Sequence, residues 1–276
     1  MFNKRLLTVS LAGLSALSLP AWAAEDLFTV DHSGAMQRSS AQRLNALRAE
    51  PQNVRVQEGL VFNASEWKKS KLALTLPDGE RVTLNMSKRF KNDRNAEVMV
   101  AKSGGEIRSL GRGRLMGDDS ILVNNNGKIT GSIRHNGKLF SLRPTEAGLH
   151  ALIEIDESRM PADHPENEYA ALFDQAIQYQ TNAFSAADMN ATANTVIKLL
   201  VNYTQGAKSA VGDIDGLIDL AVAETNQGYL NSGINITMQI AHRAQTTYTE
   251  SSNISTDKDR YAATSDGYMD EIHTQR

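Results

Sequence analysis

Val196-Ile-Lys-Leu-Leu-Val-Asn-Tyr-Thr204, then Asp213 to Leu230, then Ile234-Asn-Ile-Thr-Met-Gln-Ile-Ala-His242 are the stretches from which the fold is read. The first has the β-branched and apolar content of a buried strand. In the second, Ile214, Leu217, Ile218, Ala221, Val222, Thr225 and Tyr229 recur at helical spacing, with Asp213 available as N-cap. Gly233 follows, and glycine takes the left-handed conformation that ends a helix without steric cost. In the third, Ile234, Ile236, Met238 and Ile240 point one way, and Asn235, Thr237 and Gln239 the other. The spacing predicts strand, helix, strand, with a crossover that suits two parallel neighbours joined in the right-handed sense.

Upstream, from Asn53 to about Asp156, the reading is β. Lys71–Leu76 and Glu80–Asn85 flank the turn Pro77-Asp-Gly79. Ser120–Asn124, Lys128–Ile133 and Lys138–Leu142 are separated by Asn126-Gly127 and Asn136-Gly137, the residue pair that the tightest hairpin turns require, and Leu149–Ile155 closes the region. Ahead of it, Leu27–Val30 is extended and Ser39–Arg48 is a helix with a narrow apolar face. Met160-Pro-Ala-Asp-His-Pro165 marks a boundary, since each proline restricts the residue before it. A helix over Glu168–Tyr179 and a small, polar linker over Ser185–Asn194 follow.

The first residues set the compartment. Asn3-Lys-Arg5 is basic, Leu6–Leu19 is a short apolar run, and Ala21-Trp-Ala23 has the small-x-small form of a signal-peptidase site, so an exported protein beginning at Ala24 is expected. The run is shorter than the roughly 20 residues of a membrane span, so no stable anchor is expected after cleavage. With no cysteine, an exported chain has no disulfides and no thiolate chemistry. The 276 residues carry a formal charge of −3 with mixed signs, and no basic cluster is interleaved with aromatics, so no nucleic-acid partner is expected.

Ile197–Thr204, Glu224–Ile234 and the strand after them resemble the start of bacterial metzincin metallopeptidases, in particular the reprolysin-like and peptidyl-Asp metalloendopeptidase groups. Gly127–Ile133, Lys138–Pro144 and Gly148–Ile155 look like the β-rich propeptide that precedes such catalytic domains. The resemblance implies an α+β protein: signal peptide 1–23, β-rich propeptide-like domain 24–159, linker with a helix 160–194, and the first part of an α/β metzincin-like catalytic domain over 195–276. It also implies a secreted or periplasmic zinc endopeptidase proenzyme acting on protein or peptide substrates.

The chemistry of that family needs His-Glu-x-x-His-x-x-Gly-x-x-His, in which histidines one helical turn apart hold zinc and the glutamate acts on the metal-bound water. The six histidines are His32, His135, His150, His164, His242 and His273, and none has that spacing. Zinc is therefore expected in the full-length family member and not in this stretch, which is expected to be a truncated, inactive proenzyme with no catalytic or metal-ligating residue of its own. A noncatalytic exported module, binding or inhibiting a protein through its β-rich part, is the alternative.

The remaining polar clusters have structural readings. His242, in register with the apolar face of its strand, is expected at the core edge, and His273 near Glu271 is expected to be exposed. Asp257-Lys-Asp259 and Asp266–Glu271 lack the regular alternation of a calcium loop. In Gly212-Asp-Ile-Asp-Gly216, Asp213 is an N-cap and Asp215 a first-turn acid. Gly111-Arg-Gly113 is a turn without the Gly-Lys-Ser/Thr of a phosphate loop. The resemblance implies a latent proenzyme, and since no cysteine is present to cap its zinc, Asp118 or Asp119 after Gly117 is one candidate for occupying the open zinc position, with steric cover of the cleft as the equal alternative.

Overall fold

A computed structural model describes residues 25–31, 38–104, 109–110, 114–115, 119–145, 148–160 and 194–275. In chain order the elements are β1 (Phe28–Val30), α1 (Arg38–Ala49), β2 (Asn53–Phe62), α2 (Ala64–Trp67), β3 (Lys71–Thr75), β4 (Arg81–Lys91), β5 (Glu97–Ser103), β6 (Ser109–Leu110) and β7 (Arg114–Leu115). They continue with β8 (Asp119–Asn125), β9 (Lys128–His135), β10 (Lys138–Pro144), β11 (Leu149–Ile155), β12 (Thr195–Tyr203), α3 (Gln205–Val211), α4 (Ile214–Asn231), β13 (Ile236–Gln245), α5 (Ile254–Ala262) and α6 (Glu271–Gln275). The signal peptide, the helix expected over 168–179, most of the linker, Gly111–Gly113 and Asp118 lie outside the described residues.

Nine strands form one antiparallel sheet in the order β1-β2-β11-β10-β9-β8-β5-β4-β3. The two Asn-Gly turns hold the expected hairpins: Asn126 and Gly127 have φ of 52° and 87°, Asn136 and Gly137 of 51° and 74°, the left-handed pair that matches strand twist. The sheet rolls until its ends meet. Asp26 bridges to Ala73, the Leu27 N–H donates to Ala73 O at 2.8 Å, and the Asp26 carboxylate accepts from Thr75 Oγ1 and Arg81 Nε. Inside the roll, Leu60, Leu72, Leu84, Met99, Leu122, Ile133, Phe140 and Leu152 form the main core.

The close approach of β8 to β9 depends on Gly131, the register partner of Leu122. A Cβ there would lie 2.2 Å from Leu122 Cδ2 and 2.9 Å from Ile121 O. Gly131→Ala is expected to lower the unfolding free energy by about 2 kcal/mol, because the added methyl would overlap the fully buried Leu122 and the Ile121 carbonyl. A urea midpoint equal to that of the parent would refute this.

His150 replaces a ladder bond inside the roll. The β9–β10 register ends at Leu142–Gly131, and Pro144, opposite His150 on β10, has no N–H to extend it. Two residues beyond, the Ile129 N–H donates to His150 Nε2 at 2.9 Å, while His150 Nδ1 lies 3.4 Å from Leu60 O. The ring is fully buried beside Phe28 and Phe62, and burial pushes its pKa down from 6.5 to about 4.

The strand-helix-strand unit is present: β12 and β13 pair in parallel, with α3 and α4 between them. α4 ends where expected, with Gly233 at φ 68° and the Ile234 N–H donating to Tyr229 O at 2.9 Å. The expected α+β class is nevertheless corrected to a β-rich fold. The dominant feature is the nine-stranded sheet, and the parallel sheet has only two strands. So small a parallel sheet cannot bury a helix on both sides. Leu220 and Ala223 of α4 accordingly pack on Ala96, Val98, Val100, Ile121 and Val123 on the outer face of the roll. The helix therefore has two packed faces, where periodicity predicts one stripe.

Candidate functional site

The end of β4 and the turn to β5 lie opposite α4 and β13 across an open cleft of about 490 Å³. One wall is five consecutive residues, Phe90 to Arg94, and the other is seven, Thr237 to Arg243. Val98, Val222 and Ala223 form apolar ground between them, with Asp219 and Asn226 at the same level.

Four charges fix the wall to the helix. Arg94 hydrogen-bonds Asp215, Arg243 Nη1 reaches the same Asp215 oxygen at 3.2 Å, and Arg243 Nη2 donates to Asp219 Oδ1 at 2.6 Å. Asp215 and Asp219 stand one helical turn apart, so they present both carboxylates to one side. The bond to Asp215 raises the Arg94 guanidinium above its ordinary range. Burial works to raise Asp215, but Arg94 and Arg243 outweigh it and hold the carboxyl below its usual value. The Asp219 side chain is 2% exposed and its Oδ2 has no partner, so Arg243 is its counter-charge.

Asp215 is the first-turn acid that the sequence indicates, with two partners that local reading does not supply. Asp213 occupies the N-cap position of α4 without making the cap bond; its Oδ1 accepts from Asn125 Nδ2 at 3.5 Å, and its carbonyl accepts the Leu217 N–H. Gly216 permits the close approach of helix and sheet there, since a Cβ would lie 2.7 Å from Thr130 Oγ1.

His242 is exposed on the cleft wall, not at a core edge. The reason is a β-bulge: Leu199 pairs with Ile240 but Leu200 with His242, so one extra residue reverses the alternation and Arg243 turns toward α4 instead. His273 is half-buried on α6, where exposure was expected. Asp257 accepts from Tyr248 Oη at 2.5 Å, a bond that holds it below the usual carboxylate range, and from the Ser251 N–H. Asp270 accepts from the Asp266 and Gly267 N–H groups, closing a loop. Asp119 accepts from Asn231 Nδ2 at 2.9 Å, which ties β8 to the end of α4.

Among the described residues no three His, Asp or Glu side chains converge to hold a metal ion, so the residues present do not fit a zinc site. Among them, too, no helix is long and apolar enough to cross a membrane. What the cleft offers is recognition: a strand edge, apolar ground and a rim of paired charges.

No protein-family model matches the chain. Over 161 residues it is 46% identical to a peptidyl-Asp metalloendopeptidase of Stenotrophomonas maltophilia (strain R551-3), an alignment covering 58% of this chain and 38% of that protein. A peptidyl-Asp metalloendopeptidase of Xanthomonas campestris pv. campestris is 43% identical over 162 residues, with the same shares. A third, from Stenotrophomonas maltophilia (strain K279a), is 45% identical over 161 residues. The chain thus spans about 38% of the length of the curated relatives it matches. The similarity supports a relationship to metalloendopeptidases.

Proposed function

We propose that this chain is the amino-terminal part of an exported, zinc-dependent metalloendopeptidase of the metzincin group, made as a proenzyme whose nine-stranded sheet is the propeptide. The observation that carries the reading is the 43–46% identity to three peptidyl-Asp metalloendopeptidases over 58% of the chain. The signal-like start at Asn3–Ala23 supports export to the periplasm or medium. Metalloendopeptidases of this kind use a metal, usually zinc, to lower the pKa of bound water. In this reading the metal and its ligands belong to a portion of the protein outside these 276 residues, and so does the peptide-cleaving centre.

The sheet's part in the proenzyme is to hold α4 and the β12–β13 pair, through the shared apolar contact and the Arg94–Asp215–Arg243–Asp219 network. The test compares this chain with the product of any continuation of its reading frame. Only the extended product is expected to retain about one zinc per molecule after dialysis and to cleave a peptide mixture with acidic residues. Stoichiometric zinc and peptide cleavage by the present chain alone would overturn the proposal.

A further inference from the structure

The cleft has the form of an unfilled strand position. Successive side chains of a strand point to opposite faces, so a run of neighbours lines one cavity only when that cavity lies along the strand's edge. Thr237 to Arg243 form such a run. The edge faces the cleft in hydrogen-bonding terms as well. Asn226 Nδ2 donates to Met238 O at 2.9 Å, and Asn226 Oδ1 accepts the Met238 N–H at 2.7 Å, so a side-chain amide makes the two bonds that a neighbouring peptide group would make. Two residues on, and before the bulge, Ile240 presents its N–H and C=O in the same direction. No described residue outside its own strand pair is bonded to them.

We infer that this cleft binds an extended peptide segment, which adds as a strand along β13 from Ile240. A second folded copy of the chain does not suit the position. The opposite wall, Phe90 to Arg94, is held to α4 by the Arg94–Asp215 pair and leaves a trough of about 490 Å³, within the roughly 300–1,000 Å³ of small-ligand sites and ample for one strand. The occupant is uncharged where it crosses the site: Arg94 and Arg243 are already neutralised by Asp215 and Asp219, and Lys91 and Asp93 offset each other at the rim. Its anchor is a small apolar side chain against Val222 and Ala223.

The probe is an acetylated and amidated hexapeptide of alternating valine and serine, titrated into the isotope-labelled chain and followed by amide NMR. A Kd of about 10–500 µM is expected, modest because few main-chain bonds work against the ordering of a free peptide. Binding should slow exchange of the Ile240 amide. N-methylation of one alternate set of peptide nitrogens should weaken binding at least tenfold and methylation of the other set should not, since a strand pairs through one edge at a time. Val222→Arg, a partly exposed helix position, should weaken it at least tenfold with an unchanged spectrum elsewhere. No binding at 2 mM peptide, equal loss from both methylation patterns, or indifference to Val222→Arg would each overturn the inference. None of these readouts depends on peptidase activity.

Discussion

Arg243→Met lowers the unfolding free energy by about 3–4 kcal/mol, the size expected when a buried ion pair loses one partner and strands the other. The stranded group is Asp219, whose side chain is 2% exposed and whose second oxygen already lacks a partner. Arg94→Met serves as the contrast. Its side chain is 40% exposed and Asp215 keeps Arg243, so about 1 kcal/mol or less is expected. The double variant Arg243→Met/Asp219→Leu should recover most of the loss, because a buried pair replaced by apolar groups of similar volume is often no less stable. Urea denaturation of the parent, the two single variants and the double variant measures these differences. A loss below about 1 kcal/mol for Arg243→Met, or no recovery in the double variant, would mean that water reaches Asp219.

The second large effect is with acid. His150 has its folded pKa depressed to about 4 from 6.5, by burial first, against the opposing hydrogen bond to Leu60. The geometry agrees: with Nδ1 facing Leu60 O and Nε2 accepting from Ile129, a second ring proton on Nε2 would point at an N–H. In the window between the two values the unfolded chain binds the proton and the folded chain does not, so stability rises with pH. The contribution is fully present above 6.5 and is lost as the pH falls toward 4. At roughly 1.4 kcal/mol per tenfold change in proton affinity, the full loss is about 3 kcal/mol. His150→Gln, which retains an acceptor near Ile129, should flatten this part of the pH–stability profile while the carboxylates titrate as before. Parallel profiles for parent and variant would show that His150 is not the group responsible.

What the sequence reveals follows the range of the interactions that determine each feature. The Asn126-Gly127 and Asn136-Gly137 turns and the Gly233 helix end are decided by backbone preferences within a few residues, and each is where local reading places it. The parallel pairing of β12 with β13 is legible too, because the intervening helix imposes it. The closure at Asp26–Ala73 and the packing of Leu220 and Ala223 on β5 and β8 are not, since no local pattern says which apolar face meets which. The α+β class came with the resemblance, and no local pattern contradicts it. The site was hidden for the same reason: Arg94 and Asp215 are 121 residues apart. The bulge that turns Arg243 inward and His242 outward leaves no mark in an alternating pattern, although an arginine entering a strand beside two helix acids one turn apart was a signal that could have been followed.

The rolled sheet also bears on how the protein reaches its folded state. β2 pairs with β11, whose residues lie about 90–100 positions further along the chain, and the seam at Asp26–Ala73 joins the two ends of the strand order. Contacts so distant in sequence delay folding, because loop-closure entropy is lost before they reward it. A nascent chain holds the β2 edge open until β11 has been made. Folding is thus set to follow completion of the sheet, and a chain carried elsewhere before that point travels without its structure.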